Sequence, residues 1–296
     1  MGKLEDVLSL PQVRVKDIKS TADKLQKFVT GGAEQLMVIS DFDFTLSRFA
    51  DKSGNRCSSC YCVFDNAVGT GNPEWCEKFV ALYHKYGPIE HDHSLSIEEK
   101  IPFMEKWWQS SHELIMQGGF QKQDIDDYVA NCNIQLRDNA DILMKKMSNH
   151  SVPFIIFSAG IGTIIEMYLK HKFGRVENNT HIVSNMMGFD EKGYVSSFSD
   201  PLIHVFCKNS SVIPQDETFS NQLTGRKNVI LMGDSVGDAF MDVGVEEEQL
   251  SLKIGFVNHD YDKLVEKYLH YFDIVLVDDQ SMDVPNQILE AIYSKV

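Results

Sequence analysis

The chain has 296 residues, 43% of them hydrophobic, enough for a large core and long for one simple domain. Its formal net charge of −15 argues against sequence-independent binding to nucleic acid, which needs basic surface. No apolar stretch approaches the ~20 residues of a membrane span, and the start, Met1-Gly2-Lys3-Leu4-Glu5-Asp6, lacks the apolar core of a signal peptide.

Asp17 to Phe28 reads as a helix stopped by Gly31-Gly32. The next segment, Leu36-Met37-Val38-Ile39-Ser40-Asp41-Phe42-Asp43-Phe44-Thr45-Leu46, is the most informative in the chain. A short apolar run ends in two aspartates one residue apart. That is the pattern of a buried parallel strand delivering carboxylates to the carboxyl edge of a sheet. Alternate side chains of an extended backbone share a face, so Asp41 and Asp43 can converge. Close carboxylates repel, and a divalent cation relieves the repulsion. Mg²⁺ suits the site because it takes oxygen ligands. One carboxylate can then attack phosphorus while the other moves protons.

Residues 50 to 150 are mostly helical in pattern. Asn72-Pro73 pairs a capping residue with Pro at the first helical position, and Phe79, Leu82, Tyr83 and Tyr86 form an apolar face. Ser96-Ile97-Glu98-Glu99 is a capping box that opens a helix running towards Gly118-Gly119. Two more helical patterns lie between Gln123 and His150.

From Val152 strands and helices alternate. Pro153 to Ser158 is a strand, and a helix follows from about Gly162 to Lys172. His181 to Ser184 is a short strand, and Met187 to Phe198 reads as a hairpin around Asp190-Glu191-Lys192-Gly193. Asn228 to Met232, Leu252 to Val257 and Asp273 to Val277 complete the strands, with helices from about Asp260 to Tyr271 and Pro285 to Lys295. The expected fold is α/β, a doubly wound, Rossmann-like parallel sheet. Residues 1–49 and 151–296 are expected to form its catalytic core, and the inserted residues 50–150 a helical cap over the carboxyl edge.

Each core strand ends in polar chemistry: Asp41 and Asp43, then Ser158-Ala159-Gly160, then Gly233-Asp234-Ser235-Val236-Gly237-Asp238, with Lys208 between the last two. A single such feature means little, since strand ends are rich in turn residues. Their order on alternating strands is far more specific. In this order the chain resembles the haloacid dehalogenase superfamily of phosphotransferases, with Asp41 to Leu46, Ser158, Lys208 and Gly233 to Asp238 standing at its four motifs. Ser158 to Gly162, His204 to Asn209 and Phe272 to Val277 are further similar to the cytosolic 5′-nucleotidase III family, over nearly the whole chain, cap included.

The resemblance implies a Mg²⁺-dependent phosphatase of nucleoside 5′-monophosphates. Asp41 would be the nucleophile, forming an aspartyl phosphate, and Asp43 the general acid and then base. The metal would be held by the Asp41 carboxylate, the Asp43 carbonyl and Asp234. Ser158, the Ala159 amide and Lys208 would hold the phosphate oxygens, with Asp238 in support. The acidic chain becomes compatible with a phosphate ligand if metal, lysine and backbone amides make the site locally positive. In the cap, the resemblance implies an aromatic sandwich of Tyr61 and Trp108 around the base, Glu90 as acceptor of base hydrogens and Ser111 as a further contact. Tyr and Trp walls mark the branch that accepts 7-methylguanosine monophosphate besides CMP. A pyrimidine-selective nucleotidase or a phosphosugar phosphatase on the same fold is the alternative.

Several residues carry a plainer reading. Ile97, Ile101, Met104 and Trp108 share one helical stripe, and Phe103 and Trp107 another, so core packing competes with base stacking. Cys57-x-x-Cys60 lacks a second pair at zinc spacing, and the six cysteines read as reduced thiols. His204 packs or bonds in the core on this reading. The expected protein is cytoplasmic and monomeric, with a small-molecule nucleotide as its partner and no nucleic acid polymer or membrane.

Overall fold

Seven strands form one sheet in a computed structural model that describes residues 2–64, 73–90, 92, 94–209, 221–243 and 249–294. The capping residue expected at Asn72 lies outside the described residues. In chain order the strands are β1 (Val13–Val15), β2 (Leu36–Ser40), β3 (Phe154–Ile161), β4 (Thr180–Asn185), β5 (Met187–Phe189), β6 (Val195–Phe198), β7 (Asn228–Gly233), β8 (Leu250–Val257) and β9 (Ile274–Val277). The large sheet runs β1-β9-β8-β7-β2-β3-β4, and β5 and β6 form the expected hairpin.

β2 lies at the centre, parallel to β3 on one side and β7 on the other. All three are buried along their whole length, which is why they read as unbroken apolar runs rather than as alternation. Ser40 is level with Ile156 of β3 and with Met232 of β7, so β2 and β7 end side by side while β3 runs on to Ile161. The chain moves outward from β2 through β3 to β4, then returns to β7 on the other side. That reversal places a crevice beyond the end of β2. Short β1 pairs antiparallel with β9, an edge the sequence pattern does not reveal because three residues carry no periodicity.

The helices are α1 (Gly2–Leu8), α2 (Ile18–Gly31), α3 (Pro73–Glu90), α4 (Ile97–Gln117), α5 (Lys122–Asn131), α6 (Ala140–Asn149), α7 (Gly162–Phe173), α8 (Tyr261–Tyr268) and α9 (Asp283–Tyr293). Asp17 caps α2 by accepting from the Ser20 amide at 2.9 Å, and Gly32, at φ 66°, ends it. The capping box of α4 is complete: Ser96 Oγ accepts from the Glu99 amide, and Glu99 accepts from the Ser96 amide at 2.8 Å. In α3 the expected apolar face is only partly right. Tyr86 is buried, but Tyr83 is 61% exposed, because the helix turns its Trp75 and Phe79 side onto Phe120 and Phe64 instead. Ile97 and Phe103 of α4 are likewise exposed.

The chain leaves and re-enters the sheet region through two paired segments. The Arg48 amide donates to Gln135 O at 2.7 Å and the Arg137 amide to Leu46 O at 3.0 Å. Arg48 also pairs with Asp138 at 2.6 Å. Beyond this crossing α6 packs on α9, with Lys146 and Glu290 2.5 Å apart.

Candidate active site

The ladder of β2 runs one bond past its last residue: the Asp41 amide donates to Met232 O at 3.0 Å. The chain then turns sharply through Phe42–Leu46. Asp43 is extended, and Phe44 sits in the left-handed region at φ 63°, costly for a residue with a Cβ. Its neighbours hold it there. Ser47 Oγ accepts from the Phe44 amide at 2.9 Å. The Phe44 carbonyl accepts from Arg137 at 2.5 Å and from Asn258 at 3.0 Å. The same guanidinium donates to the Thr45 carbonyl at 2.6 Å and to the Asp279 carbonyl. Arg137 is fully enclosed, and burial lowers its pKa to about 10, so it stays charged near neutrality.

Asp41, Lys208, Asp234 and Asp238 converge at the mouth of the crevice. Lys208 donates to Asp41 Oδ1 at 2.5 Å and to Asp238 Oδ1 at 2.7 Å, with all three side chains at most 6% exposed. The other oxygen of Asp238 accepts from the amide and hydroxyl of Ser235 at 2.9 and 2.8 Å. Both oxygens of Asp238 are thus engaged, one by Lys208 and the other by Ser235. Carboxylate oxygens of Asp41, Asp234 and Asp238 lie within 4.8 Å of one another and could hold a metal ion. Burial pushes the Asp41 pKa up to about 7, with Lys208 only partly opposing it. Burial, then Asp41 and Asp238, lift Asp234 well above the usual carboxylate range. Lys208 moves the other way: burial lowers its pKa, but the two aspartates outweigh burial and raise it. Buried negative charge in excess of one lysine is the condition that a divalent cation relieves.

Asp43 points to the other side. Its Oδ1 accepts from the Cys60 amide at 2.9 Å, and burial, opposed by Cys60, raises its pKa to about 6. On β3, the Gly160 amide donates to Ser158 Oγ at 3.0 Å. A Cβ on Gly160 would stand 2.9 Å from Asp43 Oδ2, so glycine permits this close approach.

The residues expected from the cap meet the core around Ala159. Trp108 is buried, and its indole N–H donates to the Ala159 carbonyl at 2.7 Å. Tyr86, Met104, Tyr61 and Ile89 pack into the same cluster. Tyr61 and Trp108 are neighbours at 6.3 Å between centroids, but their planes cross at 87°. The two rings thus meet edge to face rather than as parallel walls, because Trp108 is committed to Ala159. Ser111 is buried one turn beyond Trp108. Glu90 ends α3 half-buried, with its carbonyl accepting from Lys100 at 2.9 Å. The Lys100 ammonium also lies 5.7 Å from the centre of the Phe206 ring, two residues before Lys208. His204 is a buried structural residue whose Nδ1 accepts from the Phe206 amide at 3.2 Å. Cys57 and Cys60 are buried free thiols.

The family model for pyrimidine 5′-nucleotidase (UMPH-1) matches residues 44–293. The chain belongs to the pyrimidine 5′-nucleotidase (UMPH-1) family. It is 47% identical over 290 residues to the putative cytosolic 5′-nucleotidase 3 of Caenorhabditis elegans, covering 97% of this chain and 77% of the relative. It is 39% identical to the 7-methylguanosine phosphate-specific 5′-nucleotidase A of Xenopus laevis, over 98% of both chains. A crystal structure of cytosolic 5′-nucleotidase IIIB bound to cytidine superposes with a TM-score of 0.90 at 33% identity, covering 99% of this chain and 98% of that one. The fold alone is shared with a haloacid dehalogenase family hydrolase from Salmonella enterica, at a TM-score of 0.54 and 11% identity over 86% of this chain and 71% of that one. As a UMPH-1 nucleotidase the protein is a phosphoric monoester hydrolase of the haloacid dehalogenase fold.

The nucleotidase site also uses residues that sequence reading did not single out. Thr45 Oγ1 lies 3.3 Å from Asp234 Oδ1, and Asn258 Nδ2 3.4 Å from its Oδ2. The Tyr268 hydroxyl donates to the Asp234 carbonyl. Asn258 directly follows β8, so the strand-end pattern that marks Asp41, Ser158 and Asp234 extends to it. Arg137, His112 and Tyr268 have no comparable signal, since each arrives from a helix or loop. Among the described residues no helix is long and apolar enough to cross a membrane.

Proposed function

We propose that this nucleotidase hydrolyses nucleoside 5′-monophosphates, favouring 7-methyl-GMP and CMP, through an aspartyl phosphate on Asp41 and with Mg²⁺ as cofactor. The observation that carries the reading is the cluster of buried Asp41 and Asp238 around Lys208, with half-buried Asp234 beside them, at the end of β2. Asp41 attacks phosphorus in line with the ribose 5′-oxygen. Asp43 protonates that leaving oxygen, then takes a proton from the water that opens the intermediate. A pKa raised to about 6 suits both tasks near neutral pH. Ser158, the Ala159 amide and Lys208 receive the charge that spreads over the non-bridging oxygens. Asp41, the Asp43 carbonyl and Asp234 would hold Mg²⁺, which when bound offsets the repulsion between carboxylate and phosphate. The cap, residues 50–150, supplies base recognition. A cationic 7-methylated guanine favours electron-rich rings such as Tyr61 and Trp108, and Glu90 would accept its N1 and N2 hydrogens, with Ser111 a further contact. The substrates named for the relatives, a 7-methylguanosine phosphate and a pyrimidine, agree with this choice.

A phosphate-release panel over the common nucleoside monophosphates, 7-methyl-GMP and ribose 5-phosphate tests the reading. Activity on UMP and CMP without 7-methyl-GMP would move the enzyme to a pyrimidine-selective branch. Ribose 5-phosphate as the best substrate would make it a sugar phosphatase.

Activity is expected to vanish with EDTA and to return with Mg²⁺. The linked pH effect has a definite sign. Asp41 has a folded pKa near 7 against an ordinary 3.8, so the metal-free native state holds a proton that the unfolded chain releases. Metal-free stability therefore falls as pH rises from about 4 to 7, and a cation that displaces the proton gains over the same window. The rise in Tm on adding Mg²⁺ should be larger at pH 7.5 than at pH 5.5. An equal rise at both would remove Asp41 from the metal site.

Trp108→Ala is expected to lower kcat/KM for both nucleotides, because it removes one of the two donors to the Ala159 carbonyl, leaving Asn185 Nδ2 at 3.1 Å. A further loss on 7-methyl-GMP should come from stacking, worth ~1–3 kcal/mol per base elsewhere. Equal losses on 7-methyl-GMP and CMP would make Trp108 a packing residue only.

A further inference from the structure

Two consecutive residues of the segment entering the cap face different parts of the site. Cys60 faces the acid–base carboxylate: its amide donates to Asp43 Oδ1 at 2.9 Å, and its fully buried thiol lies against the same group. A Cβ on Gly160 would stand 3.2 Å from the Cys60 Cβ, so the glycine lets Cys60 lie close against β3. Tyr61 faces the aromatic cluster with Trp108. Its hydroxyl is not free. It shares a hydrogen bond of 3.1 Å with His112 Nε2 from α4. His112 is itself clamped, 4% exposed and stacked on Phe198 of β6 at 3.8 Å and 3° between planes. Burial lowers its pKa to about 4, so a neutral imidazole holds the phenol. Nothing in the reaction itself requires this histidine.

We propose that Cys60-Tyr61 couples recognition of the nucleobase to the acid–base step, with His112 as the positioning residue that sets Tyr61 and, through the shared backbone, the amide that sets Asp43. The inference rests on the reading of Tyr61 as a base wall and of Asp43 as the acid and base. Its physical basis is short range. Only the φ and ψ torsions at the Cys60 Cα separate the planar peptide leading to Tyr61 from the one that carries the Cys60 N–H, so a displaced Tyr61 shifts that amide within one residue. A hydrogen bond weakens steeply when its angle closes, and proton transfer demands a well-aimed carboxylate. A loosened base wall therefore costs turnover even where the binding contacts remain. His112 and Phe198 come from the cap and from the hairpin, so the tether sits where those elements meet.

The test measures kcat and KM for CMP and for ribose 5-phosphate, which lacks a base. The variants are His112→Leu, His112→Gln, Tyr61→Phe, the double variant His112→Leu with Tyr61→Phe, and Tyr61→Ala. His112→Leu and Tyr61→Phe each remove the same hydrogen bond, so each should lower kcat for CMP about fivefold. KM should change by less than about twofold, since binding contacts remain. The double variant should be no worse than either single one, because a bond is lost once. His112→Gln, which keeps a polar partner for the phenol, should recover most of the kcat. A raised KM with kcat intact in His112→Leu, or losses that add in the double variant, overturns the proposal. If His112→Leu does not fold, Tyr61→Phe reads the same bond with the loss of one oxygen. Tyr61→Ala separates the underlying reading from the inference. If it leaves the preference for CMP over ribose 5-phosphate unchanged, Tyr61 is no base wall and both fail. If that preference collapses while kcat in His112→Leu and Tyr61→Phe is intact, the coupling alone fails.

Discussion

Asp41→Asn is expected to remove all turnover above background while the fold stays in place. The other carboxylate at the end of β2, Asp43, is held by the Cys60 amide at 2.9 Å. Lys208 occupies Asp41 Oδ1 and Asp238 is tied to Lys208 and Ser235, so neither aspartate of that cluster can substitute for the other. The stability outcome separates this from simple damage. Asp41 is a buried carboxylate whose pKa is pushed to about 7, a sign that its charge is unwelcome in the metal-free protein. The amide removes one of three converging carboxylates, and Lys208 keeps Asp238 as its partner. The metal-free variant should therefore melt no lower than the wild type at pH 7.5. Phosphate release and thermal melts in EDTA check both halves. Steady-state activity within a few-fold of wild type would end the assignment of Asp41 as nucleophile.

Asp43→Asn is expected to lose roughly 10²–10⁴-fold in kcat on nucleotides, the usual contribution of a general acid or base. The carboxamide oxygen can still accept from the Cys60 amide, so the geometry should survive. The substrate decides which half of the reaction suffers. A ribose alkoxide is a poor leaving group and needs the proton from Asp43. A p-nitrophenolate leaves without help, so its ester should still phosphorylate Asp41. Opening the intermediate by water needs the base in both cases. The variant should therefore give a burst of one p-nitrophenolate per site followed by very slow turnover. Rapid-mixing absorbance measurements read it directly. A loss of less than tenfold on CMP would show that another group moves these protons.

What the sequence makes legible follows from distance along the chain. Asp41 and Asp234 are visible because each directly follows a buried strand, and Ser158 because it closes the apolar run that opens β3, which continues to Ile161. The placement of β3 and β7 beside β2 then brings those ends together without further information. Tyr83 shows the limit for helices: periodicity gives a stripe on α3, but the partner surface decides which side of the stripe is covered. Trp108 shows the limit for sites. Its burial is readable from spacing with Met104, whereas its bond to Ala159 depends on how cap and sheet meet. Arg137, His112 and Tyr268 reach the site from sequence positions far from the residues they hold, and residue type alone does not advertise that contact.

The buried clasp of Arg137 also bears on how the enzyme comes into being. Its guanidinium joins carbonyls at Phe44 and Thr45, about 92 residues earlier in the chain, to a carbonyl at Asp279, 142 residues later. Closing such long loops costs entropy before any contact rewards it. A ribosome has therefore made Asp41, Asp43, the entire cap and all seven strands of the central sheet before Asp279 exists to complete the clasp. The strained turn at Phe44 lacks one of its supports until then. The nascent polypeptide passes most of its synthesis without a finished phosphatase site, and competence for hydrolysis arrives only with the last strand, β9, and the loop behind it.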